Sequence, residues 1–282
     1  GKDIRLAGFS GGPRNNAQLD NYLSQLASGD AQYFDPNLVD LFGPPDSPRG
    51  TQPSASGSQG PLFGVDGATT ADPDVLTVVH ADSEVEYPVT AHAVPSLTVS
   101  CSADAPTPEV GEIFVVSDHT HSVVFQVASV TGTCPGTAVV VGYDTATPGG
   151  FYPGNSTTGY GAFHGGITSM KLQRLQAATY SIVSGTLSRS RLAHTAKVAG
   201  PVTEEVVEGV SDMQIDYGED SDSDGRVDTY TTDASLVTDW SRVLIVRIAL
   251  TVMSPNDLNV TTTGGALQKT FTTTIAVRNR LP

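Results

Sequence analysis

The chain has 282 residues, of which 30 are acidic and 15 basic, so its formal net charge at pH 7 is −15. A surface this acidic repels nucleic acid phosphates, so the composition argues against nucleic-acid binding. Only a local basic patch could reverse this, and its only candidates are Lys171, Arg174, Arg189 and Arg191. The 29 glycines, 18 prolines and 38% hydrophobic residues favour a turn-rich β protein over a helical bundle, and no apolar run is long enough to span a bilayer.

The first predicted elements are helical. Residues 2–7 are expected to be the last turns of a helix that the glycines of GFSGG end, so 1–9 is interpreted as the end of an N-terminal helix. Residues 17–26 (AQLDNYLSQL) place their apolar side chains at helical spacing and predict a short amphipathic helix. Residues 43–72 are rich in Pro, Gly and Ser, a composition that predicts a long loop.

Short runs rich in β-branched residues follow, each bounded by Pro, Gly or Asp, which is the pattern of strands. They are residues 75–81, 84–91, 96–101, 112–118, 122–130 and 137–143. Residues 148–166 form a second predicted loop, rich in Gly and aromatic residues, which is either a contact surface for a partner or folded back onto the sheet. Residues 171–192 are then predicted to form a strand meander.

The C-terminal part of the chain, 204–282, is predicted to form a sheet. Residues 240–254 (WSRVLIVRIALTVMS) read as a long strand with two largely apolar faces, as expected for a central strand that is covered on both sides. Residues 269–279 (KTFTTTIAVRN) are its predicted antiparallel partner.

Four aspartates within this part of the chain fall at positions one, three, five and nine of a loop. They are Asp220, Asp222, Asp224 and Asp228. Ca²⁺ takes six to eight hard oxygen ligands, and alternate residues of a tight turn point their carboxylates inward. Gly225 at position six permits the sharp turn, and the carbonyl of Arg226 would supply the ligand at position seven. The spacing therefore predicts a calcium-binding loop.

Two features of this loop differ from an EF-hand. Position twelve, where an EF-hand carries a bidentate glutamate, is Thr231, and predicted strands replace the flanking helices. Asp233, Glu219 or water would complete the shell, and the sequence leaves that choice open. The alternative is a solvated acidic hairpin. A bound ion is expected to be structural, with an affinity of roughly 0.1 to 1 mM.

The chain has two cysteines, Cys101 and Cys134, and their number bears on whether the protein is exported. An even count in a chain that is rich in Gly, Ser and Thr and poor in Lys is typical of an exported protein with one disulfide. Two unrelated buried thiols are the alternative.

No pattern in the sequence indicates catalysis. There is no G-x-S-x-G, no P-loop and no G-x-G-x-x-G after a strand. His119 and His121, in SDHTHS, are better explained as surface histidines than as metal ligands. The chain is therefore expected not to be an enzyme.

Six segments, spread from one end of the chain to the other, carry a family pattern. They are DIRLAGF, GEIFVVSDHTHSVVFQVAS (111–129), LQAATYSIVSGTLSRSRL (175–192), VVEGVSDMQIDYGEDSDSDGRVDTY (206–230), DWSRVLIVRIALTVMS (239–254) and KTFTTTIAVRNRLP (269–282). Together they resemble the PilW family of type IV pilus minor pilins. The run EGV-x-D-x-Q-x-x-YG-x-D-x-D-x-DG-x-VD and the ending TTTIAVRNRLP are the most specific parts.

The resemblance implies an α+β fold: a pilin headgroup over 1–282, a single domain in which the end of the N-terminal helix packs on antiparallel β-sheets, strand-rich with long loops. It also implies a preceding hydrophobic helix, with a leader cut by the prepilin peptidase, that anchors the subunit in the inner membrane and later packs in the filament core. Many relatives carry a cysteine just after VSD, where this chain has His119. The Cys101–Cys134 pairing therefore depends on the exported context alone.

The function that the resemblance implies is that of a minor pilin, a membrane-anchored subunit that acts with other minor pilins and the major pilin to prime pilus assembly. It would move from the inner membrane and periplasm to the extracellular pilus tip, and serve twitching motility and cell adhesion. Three alternatives remain open: a tip adhesin whose loops at 43–72 and 148–166 bind a surface or host ligand, a J-type pseudopilin of type II secretion, and a secreted calcium-dependent enzyme.

Overall fold

The computed structural model describes residues 62–69, 71–93, 95–117, 122–143, 170–222, 224–237, 240–254 and 267–277. The predicted helices at 2–7 and 17–26 and the predicted loop at 148–166 lie outside these residues. Within the described ranges no helix has the length and apolar character that a membrane span requires.

The fold class predicted from the resemblance, α+β, is wrong. The described residues are nearly all β, 68% strand and 3% helical, with antiparallel sheets. The helical residues of the described part form two short 3-10 turns, Ala234–Leu236 and Trp240–Arg242. The physical reason lies in the sequence pattern, because both segments with helical periodicity precede residue 62, whereas Val- and Thr-rich runs dominate after it.

The described residues form fourteen strands. They are β1 (Leu62–Val65), β2 (Val75–Ala93), β3 (Ser96–Cys101), β4 (Ile113–Ser117), β5 (Ser122–Gln126), β6 (Ser129–Thr131), β7 (Gly136–Gly142), β8 (Lys171–Val183), β9 (Thr186–Thr195), β10 (Val198–Glu208), β11 (Val210–Glu219), β12 (Thr229–Thr231), β13 (Val243–Met253) and β14 (Gln268–Ala276). The predicted strand at 96–101 is confirmed as β3. β2 merges the predicted strands at 75–81 and 84–91, and β1 lies inside the loop predicted at 43–72.

The chain divides into two compact units. In the described part, unit 1 contains residues 79–177 and 192–201, and unit 2 contains residues 62–78, 178–191 and 202–277. Strands β2, β8, β9 and β10 each contribute residues to both units. The description of 1–282 as a single domain stays a prediction.

Unit 1 is built around antiparallel strands. β3 pairs with β2 and β7, β6 pairs with β7, and β4 pairs with β5 and β8. All five residues of β4 are buried, as expected for a strand that is apolar on both faces. The core contains Tyr87, Val89, Leu97, Val99, Ala105, Phe114, Val116, Phe125, Val127, Val139, Val141, Tyr143, Met170 and Leu172.

The predicted disulfide is present in unit 1. Cys101, at the end of β3, is bonded to Cys134, just before β7, and their Cα atoms are 5.7 Å apart. Both residues pack against the core of the unit.

Unit 2 contains a four-stranded antiparallel sheet with the order β12-β11-β13-β14. The predicted pairing of residues 269–279 with the strand at 240–254 is confirmed, since β14 pairs with β13 from Gln268↔Met253 to Ala276↔Ile245. The core contains Leu62, Leu76, Met213, Ile215, Tyr217, Ala234, Val237, Val243 and Val246.

The prediction that β13 is covered on both sides is confirmed only in part, since Val243, Leu244 and Val246 are buried and Arg247 is exposed. One face of β13 contributes Val246 to the core, but the other carries the exposed Arg247. Arg247 donates from Nε to Oδ2 of Asp216 at 2.6 Å, and its guanidinium lies 5.0 Å from the ring centroid of Tyr230. Arg247 is the one charged residue of this face, and its neighbours on the same face, Ile245 and Ala249, are half-buried.

The four cations that could have formed a basic patch are each paired with a carboxylate. The ion pairs are Lys171–Glu86 (2.6 Å), Arg174–Glu112 (2.7 Å), Arg189–Glu204 (2.5 Å) and Arg191–Glu204 (3.6 Å). Phosphate binding by these cations would have to compete with the carboxylates. The structure therefore adds no support for nucleic-acid binding.

Candidate metal-binding loop

The aspartate loop connects β11 and β12, which form an antiparallel hairpin. Glu219 pairs with Thr229, and the backbone N–H of Asp228 donates to the carbonyl of Glu219 at 3.0 Å, which closes the loop. The backbone N–H of Asp220 donates to the carbonyl of Arg242 at 3.0 Å. The loop thus begins and ends on paired strands, and its first residue is also held by the segment that leads into β13.

Three of the predicted ligands lie together. Asp220, Asp222 and Asp224 each offer a carboxylate oxygen, and these oxygens all lie within 4.8 Å of one another. Asp220 is buried, whereas Asp222 and Asp224 are exposed. The group therefore has one carboxylate at the base of the loop and two at its solvent side.

Backbone hydrogen bonds fix these carboxylates before any ion binds. Asp220 accepts from the N–H of Asp224 at 3.2 Å and from the N–H of Gly225 at 2.9 Å. Asp222 accepts from the same Asp224 N–H at 3.1 Å, and Asp224 accepts from the N–H of Arg226 at 2.8 Å. Gly225 has a φ of 87°, a conformation that other residues rarely adopt, so the predicted role of this glycine in the turn is supported.

Asp228 does not join this group. Its Oδ2 accepts from the hydroxyl of Ser221 at 2.6 Å and from the Ser221 N–H at 2.8 Å. These bonds, that from the hydroxyl first, hold the pKa of Asp228 below its usual value. Asp228 therefore closes the loop as an acceptor for Ser221. Residue spacing does not reveal this contact, because any serine in a loop would look the same.

The predicted completing residues are also engaged. Asp233 accepts from the N–H of Ser235 at 2.8 Å and caps the 3-10 turn Ala234–Leu236. Glu219 is buried at the end of β11. Arg226 takes part through its backbone N–H, and a cation missed by sequence reasoning, Arg242, donates from Nη1 to the carbonyl of Ser221.

The donor set fits a hard cation. Three carboxylates supply only oxygen atoms and three negative charges, which suits Ca²⁺ far better than a metal that prefers nitrogen or sulfur ligands. Asp220, Asp222 and Asp224 would hold the ion. Its occupancy stays a prediction.

A second pair of carboxylates in unit 2 lies outside the loop. Asp66 accepts from the N–H of Ala234 through both oxygens, at 2.9 and 2.8 Å, and its carboxyl is hydrogen-bonded to that of Asp233. Burial first, and then the carboxylates of Asp233 and Asp74, raise the pKa of Asp66 to about 6. The two carboxyl groups therefore share a proton at mildly acidic pH.

This pair predicts a pH-dependent stability. Because the pKa of Asp66 is raised on folding, its stabilising effect is complete below about pH 4 and is lost as the pH rises through about 6. An asparagine at position 66 can still accept from the N–H of Ala234 and donate to the carboxylate of Asp233, and it carries no charge. Asp66→Asn should therefore melt a few degrees higher than the wild type at pH 7 and equally at pH 4.

The matched control for this prediction is Asp104→Asn, an exposed aspartate in unit 1. It removes the same charge without altering the pair and should leave the pH dependence of melting unchanged. The shared proton would be refuted if the difference in melting temperature between the wild type and Asp66→Asn were the same at pH 4 and at pH 7.

Comparison with known proteins gives one family. Residues 175–279 match the model of PilW, described as Type IV Pilus-assembly protein W. The match supports the PilW-family assignment that the sequence motifs indicated, and it includes the whole of the four-stranded sheet and the aspartate loop. No significant match was found among curated proteins or among solved structures.

Proposed function

We propose that this chain, matched over residues 175–279 by the PilW model, is a minor pilin that helps to prime type IV pilus assembly and sits in the filament tip complex. The family match is the observation that carries the proposal, and it supports a role related to pilus assembly. PilW is a structural and assembly family rather than a family of enzymes. The subunit therefore acts by docking with other pilins.

Envelope and pilus association follows from the same family role. In the proposed route the subunit waits in the inner membrane with its headgroup in the periplasm, and then leaves with the growing pilus. An oxidising compartment is consistent with the Cys101–Cys134 disulfide, because such bonds persist in exported proteins and are rare in the cytosol. Neighbouring minor pilins and the major pilin are its proposed partners.

The experiment is removal of the gene from the producing bacterium, followed by counting surface pili in electron micrographs. Fewer pili, restored by the full-length gene, would support the proposal. Normal pilus numbers with lost adhesion would favour the tip adhesin instead. Normal pili with failed protein secretion would favour the J-type pseudopilin.

Calcium in the aspartate loop is the second part of the proposal. A bound Ca²⁺ would neutralise the carboxylates of Asp220, Asp222 and Asp224, which otherwise repel one another within 4.8 Å. The protein holds those groups in place through the backbone bonds to Asp224, Gly225 and Arg226. The ion would therefore stabilise the β11–β12 hairpin rather than take part in a reaction.

The calcium proposal predicts a change in melting. An ion that binds only the folded state at a dissociation constant of roughly 0.1 to 1 mM stabilises it by about 1.4–2.7 kcal/mol at 10 mM free ion. Thermal melting in 10 mM CaCl₂ should therefore occur well above melting in EDTA. The variant Asp222→Ala, Asp224→Ala should lose this difference.

The matched control is Glu205→Ala, Glu208→Ala, which removes two exposed carboxylates from β10. This variant should keep the full response to calcium, because its changes lie outside the loop. Identical wild-type melting in EDTA and in calcium would mean that the loop is a solvated acidic hairpin.

A further inference from the structure

Among the described residues, no strand pairs with the outer edge of β14 in the four-stranded sheet. β14 is the end strand of that sheet, and all nine of its residues are exposed. Its pairing with β13 continues over nine residues without a bulge. Natural edge strands are commonly kept from pairing by shortness, by charged side chains (lysine especially), by proline or by bulges. β14 is nine residues long and has no proline and no bulge. Its one charged residue, Lys269, lies near the strand end, with its Nζ 4.8 Å from the ring centroid of Phe271.

The two faces of β14 differ in chemistry. Phe271 and Ile275 are 52% and 51% exposed, and they stand opposite Leu250 and Val246 of β13. They therefore continue the face of the sheet that holds the core. The alternate residues, Thr270, Thr272 and Thr274, form a row of hydroxyls on the other face.

The side-chain pattern of β14 is symmetric about Thr273. Phe271 and Ile275 lie two residues on either side of it, and Thr272 and Thr274 lie one residue on either side. We propose that β14 pairs antiparallel with β14 of a second copy of this chain, about a two-fold axis at Thr273. Each Phe271 then stands opposite the partner's Ile275, and each Thr272 opposite the partner's Thr274. Such cross-strand aromatic–aliphatic pairs are favourable.

The same axis sets the register. A slip by one residue would place the apolar face of one copy against the threonine face of the other, because side chains alternate along a strand. Pairing about Thr273 keeps both apolar faces on one side of a continuous sheet. Since both copies use the same edge, the pairing closes as a dimer and leaves no second β14 edge for a fibre.

Charge distinguishes β14 from β10 and β12 as the strand that a second copy would pair with. The chain carries a net charge of −15, yet β14 has no acidic residue. At the proposed axis Lys269 stands opposite the partner's Val277, so the two lysines lie at opposite ends of the pairing. β10, by contrast, carries three glutamates, and β12 has only three residues and adjoins the aspartate loop. Two copies therefore meet where neither presents negative charge.

The area of contact sets the expected strength. Stable interfaces bury about 1,200–2,000 Å² in total, whereas one pair of nine-residue strands with four apolar side chains is expected to fall at or below the low end. The dimer should therefore be weak and depend on protein concentration. This inference does not depend on the proposed role in pilus assembly.

Thr273→Cys tests the pairing directly. At the axis the two cysteines stand opposite each other, within the Cα separation that a disulfide allows. In a glutathione buffer the two thiols would form a disulfide, and oxidised glutathione would take the two electrons and two protons as it is reduced. We expect a covalent dimer on a non-reducing gel, formed at least tenfold faster than by Thr270→Cys.

Thr270→Cys is the matched control, because residue 270 and its copy would be about 20 Å apart at roughly 3.4 Å per residue. Both variants change one exposed threonine of the same strand. Equal rates of cross-linking for the two variants would overturn the proposal. So would a sedimentation coefficient of the wild-type chain that stays at the monomer value and does not rise with protein concentration.

Discussion

Replacing Cys101 and Cys134 together by alanine is expected to lower the free energy of unfolding by about 3–4 kcal/mol. The bond joins residues 33 positions apart, and a cross-link over a loop of this length removes much of the conformational freedom of the unfolded chain. Both cysteines also pack against the core of unit 1. Urea unfolding followed by far-UV circular dichroism measures the loss.

Reduction of the wild-type protein provides the control. Reduced wild type and the double alanine variant both lack the cross-link, so they should unfold at nearly the same urea concentration. A large difference between them would mean that packing of the sulfur atoms matters more than the cross-link. A double variant that retains the wild-type stability to within about 1 kcal/mol would contradict the expectation.

Much of the strand structure follows from local sequence. β3 and the β13–β14 pair lie where runs of β-branched residues predict them, because side chains that branch at Cβ fit an extended backbone. β1 does not, since its four residues LFGV follow a stretch rich in Pro, Gly and Ser. Its pairing with the start of β2 is what orders it as a strand. Local composition therefore predicts a loop at residues 62–65, whereas pairing with β2 makes this segment a strand.

The error in the fold class has a different origin. The family resemblance implied a helix packed on the sheet, while the segments that suggest a helix, 2–7 and 17–26, lie outside the described residues. The β-rich composition pointed to strands from the start. The structure of the described part agrees with the composition.

The aspartate loop was partly predictable because its chemistry is local. Asp220, Asp222 and Asp224 are two residues apart and come together within one turn. The position of the Asp228 carboxylate depends on which hydrogen-bond donor it contacts, and the loop contains several donors besides Ser221. Pairs such as Arg174 with Glu112 join residues 62 positions apart, so no local pattern could reveal them.

Tyr217 and Gly64 illustrate the same limit in the core of unit 2. Tyr217 is completely buried and its ring lies 4.9 Å from that of Trp240. Its hydroxyl has no hydrogen-bond partner within the described structure. Burial raises the pKa of Tyr217, and the carboxylates of Asp74, Asp66 and Asp216 raise it further. Gly64, in β1, leaves the space that this phenol occupies.

The lack of a hydrogen-bond partner for the Tyr217 hydroxyl within the described structure predicts the effect of removing that hydroxyl. Tyr217→Phe should increase the free energy of unfolding by about 1 kcal/mol, since the hydroxyl bears a desolvation cost that no hydrogen bond offsets. Trp240 is the sole tryptophan and packs against this core, so its fluorescence reports the unfolding of unit 2.

Gly64→Ala should in turn lower the free energy of unfolding by about 3 kcal/mol. A Cβ on residue 64 would overlap the hydroxyl of Tyr217 and lie 2.6 Å from its Cζ, and the contact with Trp240 leaves the ring little room to move. The neighbouring Val65→Ala is the control, because Val65 is 40% exposed and should lose far less stability. In the double variant with Tyr217→Phe, the cost of the alanine should shrink, since part of the overlap is gone. A Gly64→Ala protein as stable as Val65→Ala would mean that β1 does not pack against Tyr217 in solution.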